Sequence, residues 1–224
     1  MTPCIRIAIG RARCSRGALA TLAALALALA ATACGGPGAT FDPAGPCVVD
    51  GRAAGAYPDL EARLPAELDG ASPGTVDSGR NCSEAALGSL VSHDIDAVEF
   101  AGATWDLGNG DGVSSVVFRV LPSVPRQALP AEWIAEFYEV GARAAKKTSN
   151  VETSRPTFDG AGETWRLDAL NDLSFQTVVT WQEAGVVRVV LIATKVAPDA
   201  SRAAHDELVA AAVRASEEAS AGGG

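Results

Sequence analysis

One segment of the sequence has the residue pattern of a hydrolase nucleophile. Gly70-Ala71-Ser72-Pro73-Gly74 matches Gly-x-Ser-x-Gly, in which a serine on a tight strand-to-helix turn attacks a carbonyl carbon. The residue after that serine must donate its backbone N–H to the oxyanion, and Pro73 has no N–H. No strand pattern precedes the segment and no helix pattern follows it. We therefore interpret the segment as a turn, within a loop over residues 70–79 that could include one short strand.

A glycine-rich segment, residues 108–112, could cradle a phosphate or contribute to a calcium loop. A phosphate loop needs a helix N-terminus after it, whereas a strand pattern follows here. A calcium loop needs oxygen ligands at its first and twelfth positions, where the chain has Leu107 and Phe118. Asn-Gly and Asp-Gly pairs are typical of β-hairpins, so the segment predicts a hairpin turn.

The chain has two histidines, and acidic residues follow both of them. His93 precedes Asp94 and Asp96, and His205 precedes Asp206, so each group could donate to a metal ion. A catalytic zinc site needs three protein ligands at suitable spacing, which neither group offers convincingly. We interpret both histidines as helix-end or solvated polar residues, and we predict no metal or cofactor.

Carboxylates are the remaining candidates for catalysis. Glu132, Glu136 and Glu139 lie along one side of a predicted helix, while Glu163 and Asp168 flank a predicted strand. A glycosidase needs two carboxylates on either side of the scissile bond, and a pair could be drawn from these five. With 27 acidic residues in the chain, such pairs arise by chance. A solvated helix face is the preferred interpretation.

The four tryptophans have two interpretations. Trp105, Trp165 and Trp181 fall on predicted strands, and Trp133 falls in the first turn of a predicted helix. Core or rim packing is the ordinary role of tryptophan, with its N–H satisfied by a nearby acceptor. Some of the four could instead line a ligand pocket.

The first 33 residues have the features of a signal peptide. Residues 1–16 are basic, and residues 17–33 form an apolar run of mostly Ala and Leu. As a helix this run would span roughly 25 Å, which is short of the bilayer core. A Gly/Pro-rich segment follows in place of a basic stop-transfer flank, so we exclude residues 1–33 from the folded domain.

Cys34 stands at the end of this apolar run. The preceding Ala31-Thr32-Ala33 satisfies the small-x-small rule of ordinary secretion. Together with Cys34 and Gly35, the same residues resemble the lipobox of bacterial lipoprotein precursors, although Ala31 stands where that family more often has Leu. The resemblance implies that the Cys34 thiolate accepts a diacylglyceryl group and that the protein is anchored to the extracytoplasmic face of a membrane. Soluble secretion is the alternative.

The other cysteines favour lipidation over soluble secretion. Cys4 and Cys14 leave with the signal peptide, so Cys34, Cys47 and Cys82 remain. If Cys34 carries lipid, Cys47 and Cys82 form an even pair in an oxidising compartment, and we predict a disulfide between them. Its closure of a loop of roughly 36 residues would contribute about 3.5–4 kcal/mol. Two separate buried thiols are the alternative.

The charge balance excludes one class of partner. The chain has a net charge of −9, which becomes −13 once Arg6, Arg11, Arg13 and Arg16 leave with the signal peptide. Such an acidic surface repels phosphate backbones and anionic headgroups, so we expect no nucleic-acid binding.

Hydrophobic periodicity predicts a single α+β domain over residues 57–216. A Gly/Pro-rich tether, residues 34–56, precedes it, and a disordered tail, residues 217–224, follows it. We expect an antiparallel sheet of roughly six strands with helices packed on one face. The predicted strands are residues 97–107, 113–121, 151–158, 163–167, 174–182 and 186–195, and the predicted helices are residues 58–65, 83–92, 130–147 and 201–216.

The domain is similar, at the level of pattern, to a group of uncharacterised bacterial extracytoplasmic lipoproteins. The similarity rests on residues 60–65 followed by Gly70, on residues 117–120, and on the last strand before a terminal helix. It implies an extracytoplasmic location and a one-domain α+β architecture, and it supplies no activity.

These observations predict a membrane-anchored lipoprotein whose domain is a non-catalytic binding or interaction module. One alternative is a carrier of lipid or a small apolar ligand, in a space between sheet and helices. A carboxylate-based hydrolase is a second alternative, and a structural component of the cell envelope is a third.

Overall fold

The computed structural model describes residues 41–108, 110–121, 129–196 and 201–221. The predicted signal peptide and Cys34 lie outside these residues. The described chain contains nine strands, four α-helices and one 3₁₀-helix. In chain order they are β1 (Gly51–Ala53), α1 (Pro58–Glu61), β2 (Thr75–Asn81), α2 (Glu84–Leu87), the 3₁₀-helix (Gly88–His93), β3 (Val98–Gly108), β4 (Asp111–Val120), α3 (Ala131–Ala144), β5 (Thr148–Ser154), β6 (Thr157–Phe158), β7 (Gly162–Asn171), β8 (Ser174–Glu183), β9 (Val186–Lys195) and α4 (Arg202–Ala221).

The strands form an antiparallel sheet in the order β1-β2-β3-β4-β9-β8-β7-β5, and β6 pairs with β7. The predicted hairpin joins β3 to β4, with Gly108 paired to Asp111. The sheet has more strands than the expected six. The predicted loop and tether supply β2 and β1, and the single strand expected over residues 151–158 is divided into β5 and β6.

The last strand, β9, lies at the centre of the sheet between β4 and β8. Its residues Val187, Val189 and Val190 are each fully buried, so neighbouring residues of opposite orientation are both shielded from water. Because successive side chains of a strand point to opposite faces, both faces of the sheet must be covered. The apolar sequence of β9 follows from this position.

Two layers of helices cover the sheet. On the face that includes Ala101, Val117 and Val190, here called face A, the core is completed by residues of α1 and α4 such as Leu60 and Val209. On the opposite face, face B, the core is completed by residues of α2, the 3₁₀-helix and α3. Face B includes Phe100, Val116, Val189 and Leu191.

Our expectation of helices on one face is therefore wrong. The α+β class holds, but the described chain is a three-layer arrangement with the sheet in the middle. The physical reason lies in β9, because a strand that is apolar on both sides would leave one side in water under a single helical layer. Burial of that second side favours the additional layer.

The helix α3 forms for local reasons that the sequence shows. Pro130, at the N-cap, precedes the first helical residue, and Glu132 stands in the first turn. Arg143 stands in the last turn, so both charges oppose the ends of the helix dipole. Ile134 and Tyr138 recur one turn apart and are both buried against face B.

Part of the segment predicted as a tether is folded onto face A. A disulfide joins Cys47 to Cys82, with 5.6 Å between their Cα atoms. The buried guanidinium of Arg80 donates hydrogen bonds to the carbonyl oxygens of Asp42, Gly45 and Pro46, at 2.7–2.8 Å. The chain is thus held to the domain from Asp42 onward.

The C-terminal boundary also differs from the expected one. The helix α4 continues to Ala221 instead of ending at Ser216. Ser216 itself is buried and shares a hydrogen bond with Ser115 of β4, at 3.1 Å. The last turns therefore form part of the layer over face A.

Candidate functional site

The structure separates Asp168 from the other carboxylates that could have formed a catalytic pair, whereas Glu163 lies on the same face of the sheet as α3. Glu163 and Asp168 are an odd number of positions apart on β7, so their side chains lie on opposite faces of the sheet. Asp168 accepts hydrogen bonds from Arg202 of α4 on face A, while Glu136 and Glu139 belong to α3 on face B. A glycosidase pair that combines Asp168 with the glutamates of α3 is therefore excluded by the sheet between them.

Two of the cavities that the described residues line open on face B and could hold a small molecule. The first, here called the polar cleft, has a volume of about 410 Å³ and lies between α3 and the strands β5, β7 and β8. This volume is within the range of small-molecule sites. Its lining includes Glu132, Ala135, Glu136, Tyr138, Glu139, Arg155, Trp165, Leu167, Val178 and Thr180.

The deep end of the polar cleft contains two hydroxyl groups that are unusual for buried atoms. Tyr138 is 3% exposed and Thr180 is 1% exposed. Neither the Tyr138 Oη nor the Thr180 Oγ1 has a hydrogen-bond partner among the described residues. A buried polar group without a partner costs about 1–3 kcal/mol, so such a pair in one cavity requires an explanation. Burial also raises the pKa of Tyr138, which keeps its phenol neutral.

The outer end of the cleft carries charge on both sides. On α3, the Glu136 carboxylate lies 2.8 Å from the His93 Nε2, and the His93 ring stacks on Trp133 with 4.4 Å between centroids. One turn along, Glu139 accepts a hydrogen bond from Arg143 at 2.8 Å. Glu136 thus shares a hydrogen bond with His93, and Glu139 forms an ion pair with Arg143, both on the helix surface. This is the solvated-face arrangement that the sequence predicts.

On the sheet side of the cleft, Trp165 and Arg155 form the opposite wall. The guanidinium carbon of Arg155 lies 4.9 Å from the centroid of the Trp165 ring. Arg155 also donates a hydrogen bond to Glu163 at 2.9 Å. The indole is therefore held in a fixed orientation against the cavity. Of the four tryptophans, this one fulfils the pocket-lining alternative, whereas Trp105 and Trp181 are core residues.

The second cavity, here called the sheet groove, has a volume of about 270 Å³ and lies above β2, β3, β4 and β9. Phe100, Val116 and Leu191 contribute apolar surface, and Arg52 and Asp77 form an ion pair among the lining residues. Gln176 of β8 is 2% exposed, and its Oε1 atom has no partner among the described residues. The described residues that line this groove all belong to strands, and its apolar surface is the part that a carrier would use.

His205 is buried on face A, which contradicts our interpretation of it as a solvated residue. It is 1% exposed and lies between the hydroxyls of Thr177 and Thr194, each 2.7 Å from a ring nitrogen. Thr177 donates its proton to Asp168, so it must accept from the His205 Nε2–H, and Thr194 then donates to Nδ1. The hydroxyl–imidazole–hydroxyl–carboxylate chain is thus satisfied within the core.

The electrostatics of this group agree with a neutral imidazole. Burial and the nearby Arg202 lower the pKa of His205 to about 4. Burial alone would raise the pKa of Asp168, but hydrogen bonds from Arg166 and Thr177 hold it below its usual value. A base of such low pKa that is closed off from solvent is poorly suited to accept a proton at neutral pH. We interpret the group as structural.

Sequence reasoning missed the residues at the deep end of the polar cleft. The helical pattern places Tyr138 in the packing stripe of α3, and the strand pattern gives Thr180 no distinction from its neighbours. The signal that could have indicated them is the alternation on β7 and β8, since Trp165 and Thr180 are cross-strand neighbours on the same face. The register that pairs them is set by the turn between these strands.

Two further findings concern the described residues alone. No cluster of three or more potential metal ligands occurs in the described ranges. No helix within those ranges is sufficiently long and apolar to span a bilayer.

Comparison of the chain's sequence and structure with models of known families, with curated proteins and with solved structures finds no match. A function for this protein therefore has to be argued from its own residues and cavities.

Proposed function

We propose that this protein is an extracytoplasmic domain that a lipid on Cys34 holds to a membrane, and that it binds a small molecule in the polar cleft without transforming it. The observation that carries the binding role is the pair of buried hydroxyls without partners among the described residues, Tyr138 Oη and Thr180 Oγ1. A ligand that hydrogen-bonds to both would remove the cost of burying them.

We propose no catalytic role because two carboxylates of the cleft and the buried histidine are already bonded to other side chains. At the outer end, Glu136 is hydrogen-bonded to His93 and Glu139 forms an ion pair with Arg143. The buried histidine, His205, belongs to the opposite face of the sheet and is hydrogen-bonded on both nitrogens. Neither arrangement presents a nucleophile next to a base at the cleft.

Membrane anchoring rests on the sequence around Cys34 and on the cysteine count. The Cys47–Cys82 disulfide supports an oxidising compartment, because such bonds are rare in the cytosol. Growth with a clickable fatty acid is expected to label the wild type and not Cys34→Ser. Equal membrane retention of the Cys34→Ser protein would contradict the anchor.

The binding role is tested by native mass spectrometry on protein purified from its own membrane. We expect a stoichiometric small molecule in the wild type that disappears in Ala135→Trp, because a large side chain at this lining position fills the cleft. The matched control is Gly102→Val in the sheet groove. A Cβ at Gly102 would meet its nearest atoms at 3.8 Å, so the backbone accepts a larger residue without strain.

The same pair of variants tests the second candidate, a carrier of lipid or a small apolar ligand. This candidate is favoured by Phe100, Val116 and Leu191, which line the sheet groove. An apolar molecule that disappears in Gly102→Val and persists in Ala135→Trp would support the carrier and contradict the cleft. Wild-type protein with no bound molecule would count against both.

A further inference from the structure

The polar cleft has a chemical character that restricts its ligand. Its deep end combines the hydroxyls of Tyr138 and Thr180 with the apolar side chains of Leu167 and Val178. The described charged groups that line the cleft include the glutamates of α3, of which Glu132 and Glu136 are exposed. A ligand therefore meets neutral donors and acceptors inside and charges outside.

A charged ligand fits this arrangement poorly. An ammonium group at the deep end would be buried beside two neutral hydroxyls and aliphatic side chains, which do not compensate its lost hydration. A carboxylate or phosphate would also have to pass Glu132, Glu136 and Glu139. The two arginines that line the cleft are already paired with carboxylates of the chain, Arg155 with Glu163 and Arg166 with Asp168. The ligand that enters the cleft is therefore expected to be neutral.

A purely apolar ligand also fits poorly, because it would leave the Tyr138 and Thr180 hydroxyls buried and still without partners among the described residues. Each of these groups can donate one hydrogen bond and accept others. A ligand hydroxyl can also donate and accept, so it can form a hydrogen bond with either side chain as the donor or as the acceptor. Several adjacent ligand hydroxyls could also donate to the carboxylates at the outer end.

From this arrangement, and resting on the proposed function, we infer that the polar cleft binds a neutral, hydroxyl-rich small molecule of the saccharide class. Ring hydroxyls bind Tyr138 and Thr180 at the deep end. The apolar ring faces contact Trp165 and Leu167. Exposed hydroxyls donate to the glutamates of α3 and accept from Arg155, which the Trp165 ring already orients.

The test is ligand-observed saturation-transfer NMR on the protein purified from its own membrane, with its disulfide intact. Six probes are used: glucose, N-acetylglucosamine, maltose, N-acetylalaninamide as a neutral amide, choline as a cation, and acetate as an anion. We expect transfer to at least one saccharide and not to choline or acetate. Added sodium chloride should leave the saccharide signal unchanged, since no ion pair with the ligand is involved.

Variants assign the signal to the cleft. Tyr138→Phe and Thr180→Val are each expected to weaken saccharide binding about tenfold, because each removes one hydrogen bond to the ligand. Ala135→Trp should abolish binding, and thermal unfolding confirms that this variant is folded. Gln176→Leu, which alters the sheet groove on the same strand as Thr180, should bind as the wild type does.

The outcomes separate the ligand class from the proposed function. Transfer to choline, acetate or the amide that disappears in Ala135→Trp would overturn the saccharide class and keep the cleft as a binding site. Saccharide binding that persists in Tyr138→Phe and Thr180→Val would overturn the assigned contacts. No transfer to any saccharide would overturn this inference, and native mass spectrometry then decides whether another ligand occupies the cleft.

Discussion

The two faces of the sheet treat buried polar side chains differently. On face A, Thr177, His205 and Asp168 form a continuous hydrogen-bonded group, and Arg188 donates to the Arg63 carbonyl at 2.8 Å. On face B, the hydroxyls of Tyr138 and Thr180 and the amide oxygen of Gln176 have no partner among the described residues.

Three buried atoms on face A need the same scrutiny, because Arg80 Nε, Trp181 Nε1 and Glu217 Oε1 also have no hydrogen-bond partner among the described residues. The other two guanidinium nitrogens of Arg80 donate to backbone carbonyls. The indole N–H of Trp181 also lacks a close hydrogen bond among the described residues, but the carboxyl group of Glu217 lies beside it. On face B, Tyr138 and Thr180 line the polar cleft and Gln176 lines the sheet groove. The comparison is therefore between the His205 group of face A, whose hydrogen bonds are made within the chain, and the cleft hydroxyls of face B, which remain available to a molecule outside it.

The largest expected effect comes from removing the central group of face A. His205→Leu deletes two hydrogen bonds and leaves the Thr177 and Thr194 hydroxyls with lost partners. We expect a loss of about 3–4 kcal/mol in the free energy of unfolding, measured by urea denaturation at neutral pH. A loss below about 1 kcal/mol would show that the hydrogen-bonded group on face A contributes little.

Acid should weaken face A through the same residue. The pKa of His205 is lowered from 6.5 to about 4, so the unfolded chain binds this proton more tightly than the folded one. The stability that the neutral His205 imidazole contributes is fully present above pH 6.5 and is lost as the pH falls towards 4. Between pH 7.5 and 4.5 we expect wild-type stability to fall by about 2–3 kcal/mol.

His205→Leu is the control for this pH dependence and should lack that component. The pKa of Asp168 is also lowered, so the stability that its carboxylate contributes is lost only at more acidic pH, where the carboxylate becomes protonated. Glu217 acts in the opposite sense, because burial and the neighbouring Glu183 raise its pKa. Equal pH dependence in the wild type and the variant would show that His205 is not responsible.

The sharpest comparison uses one substitution at two positions of β8. Thr177 and Thr180 are 0% and 1% exposed, and they lie on faces A and B respectively. Thr177→Val should destabilise the domain by about 2 kcal/mol, because Asp168 and His205 both lose a partner. Thr180→Val should leave stability unchanged or raise it by up to about 1 kcal/mol. If both variants are destabilised in urea denaturation, the two faces do not differ in how they satisfy buried hydroxyls.

The smallest effect is expected for Tyr138→Phe. The substitution keeps the aromatic packing of α3 and removes a hydroxyl that has no partner among the described residues. Stability in the absence of ligand should be unchanged or higher by roughly 0.5–1 kcal/mol. A loss of more than about 1 kcal/mol would mean that this hydroxyl already has a stabilising role in the folded chain.

The sequence predicts the elements whose stabilisation is local. The helix α3 and the β3–β4 hairpin are confirmed because capping, dipole charges and Asn-Gly or Asp-Gly pairs are properties of adjacent residues. The Cys47–Cys82 disulfide is predicted for a different reason, since the cysteine count leaves this pair.

The elements that sequence reasoning missed depend on distant partners. Strand β2 buries Ser78 and Arg80, and such polar residues are typical of a loop. The burial of Arg80 depends on the carbonyls of residues 42, 45 and 46, which accept hydrogen bonds from its guanidinium. His205 is similar, because Thr177 and Thr194 lie on two other strands. The polar cleft could not be predicted because it depends on the register of β7 and β8 and on the placement of α3.

The Arg80 contacts and the disulfide at the β1 edge would set the distance between the domain and a membrane if Cys34 carries the proposed lipid. Phe41 follows Cys34 by seven residues, and the chain is held from Asp42 onward. Seven residues can span at most roughly 25 Å. The polar cleft lies near β7, six strand spacings or roughly 29 Å from β1. Under the proposed anchor, the β1 edge would stay close to the headgroups, while the cleft lies at the far side of the sheet from the attachment point.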